Sequence, residues 1–355
     1  MTVKATDQET PDKKIKVLIV DDAAFMRSAI FKMIEGDAHI EVVGTACNGQ
    51  EALEKIDQLK PDVITLDIDM PVMDGISCTR HIMIESPVPV VILSSLFNDG
   101  EITFDALRLG VVDFIPKPSG AVSTDIDRSQ QHLIDRIKLA NSVNISNIRR
   151  VRLPQADNNK NLDHYGYQPL DFILTLGTTL SGPNAIIRLL ANLPPTLPTA
   201  IVVILEISPK IIDAFIERFD KSVPWEIYKA EDGMQVKQGV CYVSPYQEGI
   251  SIQSKSDGTV FLAREEQVKE PLNQLFISAA DVFQENTVGI LLSGVGTDGA
   301  EGFSHIKKLS GTTMAQDTQT CVFPNLTDNA IKQGTVNSVL NESALAQAVI
   351  SIMTE

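Results

Sequence analysis

The chain has 355 residues, of which 43% are hydrophobic and 21% charged, with a net charge of -16. This length suffices for two domains with separate cores, and the composition is that of a soluble globular protein. The acidic balance excludes a sequence-independent grip on nucleic acid, which needs a basic face, and no apolar stretch approaches the roughly 20 residues of a membrane span.

In chain order, the opening MTVKATDQETPDKKIK is polar and lacks the apolar centre of a signal peptide, so the cytoplasm is the expected compartment. IKVLIV then reads as a strand and FMRSAIFKMIEG as a helix, with Phe25, Met26, Ile30, Met33 and Ile34 at helical spacing and Gly36 as its stop. IEVVGTA, DVITLD, VPVVILSS and VVDFIPKP are further strands, and GQEALEKIDQL is a further helix. Continuous apolar strands alternating with helices predict a parallel sheet covered on both faces. The first α/β domain is expected over 14–138.

Residues 139–168 are rich in Asn, Asp and charge and read as a linker, with the RRVR cluster at 149–152 a solvated segment within it. From 169 to 355 the rhythm resumes with LDFILTLG, PNAIIRLLANL, TAIVVILE, SPKIIDAFIERF, TVGILLSGVG and DGAEGFSHIKKL. The fold class is therefore α/β, with two doubly wound parallel-sheet domains. Cys47, Cys78, Cys241 and Cys321 show no metal-ligand spacing and read as small apolar side chains.

Polar residues gather where the first domain's strands end. Asp21 and Asp22 follow IKVLIV, Asp67 follows DVITL, Ser94 follows VPVVIL and Lys117 follows DFIP. Ligand sites of open parallel sheets lie at the carboxyl ends of the strands, so these residues are expected in one crevice. Three carboxylates together call for a hard cation, and oxygen-only ligation suits Mg2+. Asp67 then suits a nucleophile that accepts a phosphoryl group as an acyl phosphate.

Over about 15–120 these motifs resemble the receiver domain of two-component response regulators, a flavodoxin-like fold. VLIVDDAAFMR, DVITLDIDMPVMDG, VVILSS and DFIPKP carry the likeness. It implies Asp67 as phospho-acceptor, Asp21, Asp22 and Asp67 as Mg2+ ligands, Ser94 and Lys117 at the phosphate, and Phe114 as the coupled aromatic. A histidine kinase of the chemotaxis type is the implied donor.

The second half is similar to the effector domain of the chemotaxis protein-glutamate methylesterase (CheB) family, through PNAI, AFIERF, AEDG, CYVSP and GILLSGVGTDGAEG. That family works by serine-hydrolase logic on an α/β sheet. Carried over by position, Thr179 in GTTLSG stands at the nucleophile, Ile207 in EISP at the base, and Asp298 in GVGTDGAEG at the orienting aspartate. Gly249 stands near the place of a second histidine, and REEQVKEPLNQ replaces a basic substrate segment.

Isoleucine cannot take a proton, Glu206 beside it should point to the opposite face, and threonine's extra methyl crowds the turn. None of the histidines stands at these positions. His39 and His81 lie in the first domain, His132 and His164 precede the second domain's first strand, and His305 lies about two helical turns beyond Asp298. Asp298, before a helix, also reads as its N-cap.

The expectation is a phosphorylation-controlled signalling protein whose esterase-like domain is impaired and acts by contacts with methyl-accepting chemoreceptors or another signalling protein. The alternative is an active methylesterase, also a glutamine deamidase, using Thr179, or a site rebuilt around Glu206 and Asp298 with or without a metal.

Overall fold

The computed structural model describes residues 13–94, 100–117, 123–148, 170–180, 182–264 and 268–354. The RRVR cluster, His164, Ser181, most of the 139–168 linker and the segment directly after Lys117 lie outside the described residues. The chain divides into two compact units, one comprising Met1–Ser95 with Phe114–Ser142 and the other Leu96–Asp113 with Val143–Glu355.

The first sheet has five strands, β1 (Ile15–Val20), β2 (Ile40–Ala46), β3 (Val63–Leu66), β4 (Val90–Ser94) and β5 (Asp113–Pro116), in the order β2-β1-β3-β4-β5. Helices α1 (Ala24–Ile34), α2 (Gly49–Leu59), α3 (Gly75–Glu85), α4 (Gly100–Leu109) and α5 (Ser123–Asn141) connect and follow the strands. The reversal of order between β1 and β3 opens a crevice at their carboxyl ends. Helix α1 buries Ile30, Met33 and Ile34, but Phe25 is 77% exposed. At 3.6 residues per turn Phe25 lies about 140° round the helix from Ile30, so it falls off the apolar stripe.

The second sheet collects β6 (Phe172–Gly177), β7 (Thr199–Leu205), β8 (Glu226–Lys229), β9 (Val240–Pro245), β12 (Thr287–Leu291), β13 (Thr312–Gln316) and β14 (Ser338–Leu340). The order is β14-β13-β12-β6-β7-β9-β8, and β10 (Ile250–Ser254) with β11 (Val260–Arg264) forms a separate antiparallel hairpin. Both faces are buried. Along β7, Ile201, Val203 and Leu205 join one apolar cluster while Ala200, Val202 and Ile204 join the other, as the two-residue period of a strand requires.

Helices α6 (Gly182–Ala191), α7 (Ile212–Asp220), α8 (Pro271–Phe283), α9 (Ala300–Lys308), α10 (Asn325–Lys332) and α11 (Glu342–Thr354) complete this unit. Helix α4 is counted here too, its Phe104 packing against Phe215 and Phe219 of α7 at centroid distances of 5.4 and 6.5 Å. Among the described residues no helix is long and apolar enough to cross a membrane.

Candidate functional site

The first crevice assembles where β1 and β3 pair and end together. Backbone bonds run from Asp67 N to Val20 O at 2.9 Å and from Asp21 N to Ala46 O at 3.1 Å, which fixes both aspartates at the sheet's rim. Asp21 and Asp67 are 0% and 3% exposed, Asp22 is exposed, and one carboxylate oxygen from each lies within 4.8 Å of the others. Lys117, just past β5, bridges Asp21 Oδ2 at 2.8 Å and Asp67 Oδ2 at 2.7 Å. Asp67 Oδ1 accepts from the Ile68 amide at 2.8 Å, and Asp21 Oδ1 from the Ala23 amide at 2.9 Å.

One ammonium among three carboxylates leaves the crevice short of positive charge. Burial raises Asp67's carboxyl above its ordinary range, and Asp21 adds to this against the pull of Lys117. Burial alone would lower Lys117, but its bonds to Asp21 and Asp67 more than reverse that and leave it raised. The donor set is all oxygen, and its excess negative charge fits a hard divalent cation.

Ser94 ends β4 almost fully buried, and its carbonyl accepts from the Lys117 amide at 3.0 Å. Phe114 is half-buried on β5. The loop after Asp67 is closed by Asp74, which caps α3 through the Ser77 amide at 2.7 Å. Glycine is required at position 75, where a Cβ would sit 2.1 Å from the Asp67 carbonyl oxygen.

In the second unit the strand order reverses beside β6, and Thr179 and Asp298 follow β6 and β12. Thr179 is 5% exposed; its hydroxyl donates to Val295 O at 2.9 Å and accepts from Val295 N at 2.6 Å. Thr178 beside it donates to Ser293 O at 2.6 Å. Both hydroxyls thus tie the turn after β6 to the loop after β12.

Ile207 is buried in the apolar cluster that holds Leu205, Ile211 and Phe215. Asp298 does not cap the helix that follows it. Gly299, at φ 99, is the N-cap of α9 and turns the chain away. The Asp298 carboxylate instead accepts from the amides of Leu272 and Asn273, at 2.8 and 2.9 Å, in the first turn of α8. Tyr246 adds its hydroxyl at 2.9 Å. Burial raises Asp298, opposed by these three donors and reinforced by Glu270.

Gly249 adopts φ +55, and a Cβ there would come within 2.8 Å of Val268 Cγ2. A side chain at that position takes a strained backbone and needs Val268 to give way. Among the described histidines, His305 pairs with Asp281 at 2.7 Å, and His39, His81 and His132 belong to the other unit. Among the described residues, the acidic group that could hold a metal is Asp21, Asp22 and Asp67; Glu206 and Asp298 form no such group. Tyr246 and Val295 were not singled out in the sequence. Tyr246 directly follows CYVSP, so the strand-end rule that selected the first domain's residues also reaches it.

The CheB methylesterase family matches residues 174–349, and the response regulator receiver domain family matches residues 17–124. A protein-glutamate methylesterase/protein-glutamine glutaminase of Halalkalibacterium halodurans is 34% identical, across 96% of this chain and 98% of that one. One from Pyrococcus horikoshii is 33% identical, across 95% and 93%. The solved CheB methylesterase catalytic domain of Thermotoga maritima is 27% identical, covers 51% of this chain and 98% of its own, and has a TM-score of 0.49. With a receiver at its front and an identity above 30% over nearly the full length of two such proteins, the chain belongs to the CheB family of receiver-coupled protein-glutamate methylesterases.

Proposed function

We propose that this chain is a phosphorylation-controlled regulator of a chemosensory pathway whose second domain is silent as an esterase and works through protein contacts with chemoreceptors or another signalling protein. On the receiver side, an Asp67 carboxylate oxygen takes the phosphoryl group of a phosphohistidine from a chemotaxis-type kinase. The O–P bond forms as the P–N bond breaks, and the imidazole leaves.

Asp21, Asp22 and Asp67 would hold Mg2+, which when bound offsets the charge of the phosphoryl oxygens. Lys117 stands 2.7 Å from Asp67 to pair with those oxygens, and Ser94 and Phe114 are the proposed switch pair. Acetyl phosphate with Mg2+ is expected to label the wild type and not Asp67→Ala. Equal labelling of the two contradicts the receiver half of the proposal.

The observation that carries the silent reading is the Thr179 hydroxyl. A hydroxyl nucleophile must hand its proton to a base, and this one donates its single proton to the Val295 carbonyl. Ile207, at the base position, offers no proton acceptor.

The names of the relatives favour a second reading, an active protein-glutamate methylesterase and glutamine deamidase with Thr179 as nucleophile. Comparing methanol release from methylated receptors by wild type and Thr179→Val separates the two. Equal, background-level release supports the silent domain; turnover that the valine abolishes establishes the second reading.

A further inference from the structure

Asp21 and Asp22 are consecutive, yet a carboxylate oxygen of each lies within 4.8 Å of the other and of one from Asp67. Successive side chains of an extended strand point to opposite faces. The chain must therefore leave the strand between them, and it bends at Asp22 before α1 begins. No helix cap holds that bend. Ala23 opens α1 without a side-chain cap, and the first turn carries no acidic residue.

The tie comes from inside the helix. Arg27 Nη1 donates to Asp21 O at 2.7 Å and to Asp22 O at 2.9 Å, while Arg27 N donates to Ala23 O at 3.0 Å and so belongs to the first turn itself. Asp21 Oδ1 adds a second tie, from the Ala23 amide at 2.9 Å. Two successive carbonyls turned to one side repel each other, and a guanidinium nitrogen shared between them offsets that repulsion with two charge-assisted bonds.

We propose that Arg27 is a positioning residue for the metal site, fixing the turn after β1 so that Asp21 and Asp22 present their carboxylates together to a divalent cation. It rests on the reading of Asp21, Asp22 and Asp67 as metal ligands. Both side-chain bonds of Arg27 go to backbone oxygens of those ligands, so it aims the carboxylates without competing for them. Groups that orient ligands in this way commonly change metal affinity by about 10-fold to 100-fold when lost.

The charge of Arg27 gives the test a sign. A guanidinium beside the crevice repels a divalent cation, so removing its charge alone would tighten Mg2+ binding. Removing a positioning contact does the opposite.

Calorimetric titration of Mg2+ into full-length wild type and Arg27→Met separates the two. Methionine keeps an unbranched stem and loses both donors, and it is expected to weaken Mg2+ binding about tenfold or more. The loss should be one of affinity alone: at saturating Mg2+, acetyl phosphate is expected to label Arg27→Met as fast as the wild type. A merely disordered turn would leave labelling slow at any Mg2+ concentration.

If Arg27→Met fails to fold, Arg27→Gln takes its place, since its shorter side chain keeps an amide but falls short of both carbonyls; the same weakening is expected. Affinity equal to or tighter than that of the wild type, or labelling that stays slow at saturating Mg2+, overturns the proposal and leaves the receiver reading standing. A wild type that binds no Mg2+ removes that reading, and the proposal with it.

Discussion

At Thr179 a single hydroxyl makes both bonds to the backbone of one residue, Val295, across 116 residues of sequence. Thr179→Val keeps the shape and removes both, leaving the Val295 amide and carbonyl without this partner. The expected loss is about 1–3 kcal/mol in urea unfolding. A serine at this position is expected to keep both bonds and the stability. The sequence was legible here to a definite depth: residue order placed threonine after a strand, and the family resemblance aligned Ile207 with the position of a base. It did not reveal where the hydroxyl points, which depends on a loop far along the chain. Val72 is a second such case. It is 85% exposed with φ +69, a conformation that a β-branched residue enters with strain. Val72→Asn, which tolerates that region, is expected to raise the receiver's stability by about 1 kcal/mol in chemical denaturation.

Between elements, α8 and α9 cap each other. Asp298, before α9, serves the first amides of α8, and Asn273 in α8 returns its Oδ1 to Gly299 N at 3.0 Å and Gly302 N at 2.8 Å. Asp298→Ala and Asn273→Ala are each expected to cost about 1–2 kcal/mol. The double substitution should cost less than their sum, since the two groups share one contact. The sequence showed a capping residue ahead of α9 and nothing of which helix it serves, because a cap in its own chain and one given to a neighbour use the same residue types.

A second tie joins α5 to the turn between α1 and β2, where Lys138 meets Asp37 at 2.7 Å. Burial alone would raise Asp37, but Lys138 and the His39 amide outweigh it and leave the carboxyl lowered. A lowered carboxyl stabilises the fold above its unfolded value of about 3.9, and that contribution is lost as pH falls through the folded value. Lys138→Met should therefore melt below wild type at neutral pH, with the gap closing in strong acid.

On the scale of the whole chain, the two parallel sheets were legible from apolar runs alternating with amphipathic helices, because a strand buried on both faces has no polar phase. The clustering of α4 with the second unit was not legible, since periodicity shows that a face is covered and not by what. The proposed function has two halves: a receiver that accepts phosphate, and an esterase-type domain that performs no ester hydrolysis in either phosphorylation state. Both halves are checked by methanol release from methylated receptors, measured on full-length protein before and after treatment with acetyl phosphate and Mg2+. Background release is expected in both states, alongside labelling of Asp67. Release that rises on phosphorylation and disappears in Thr179→Val would contradict it.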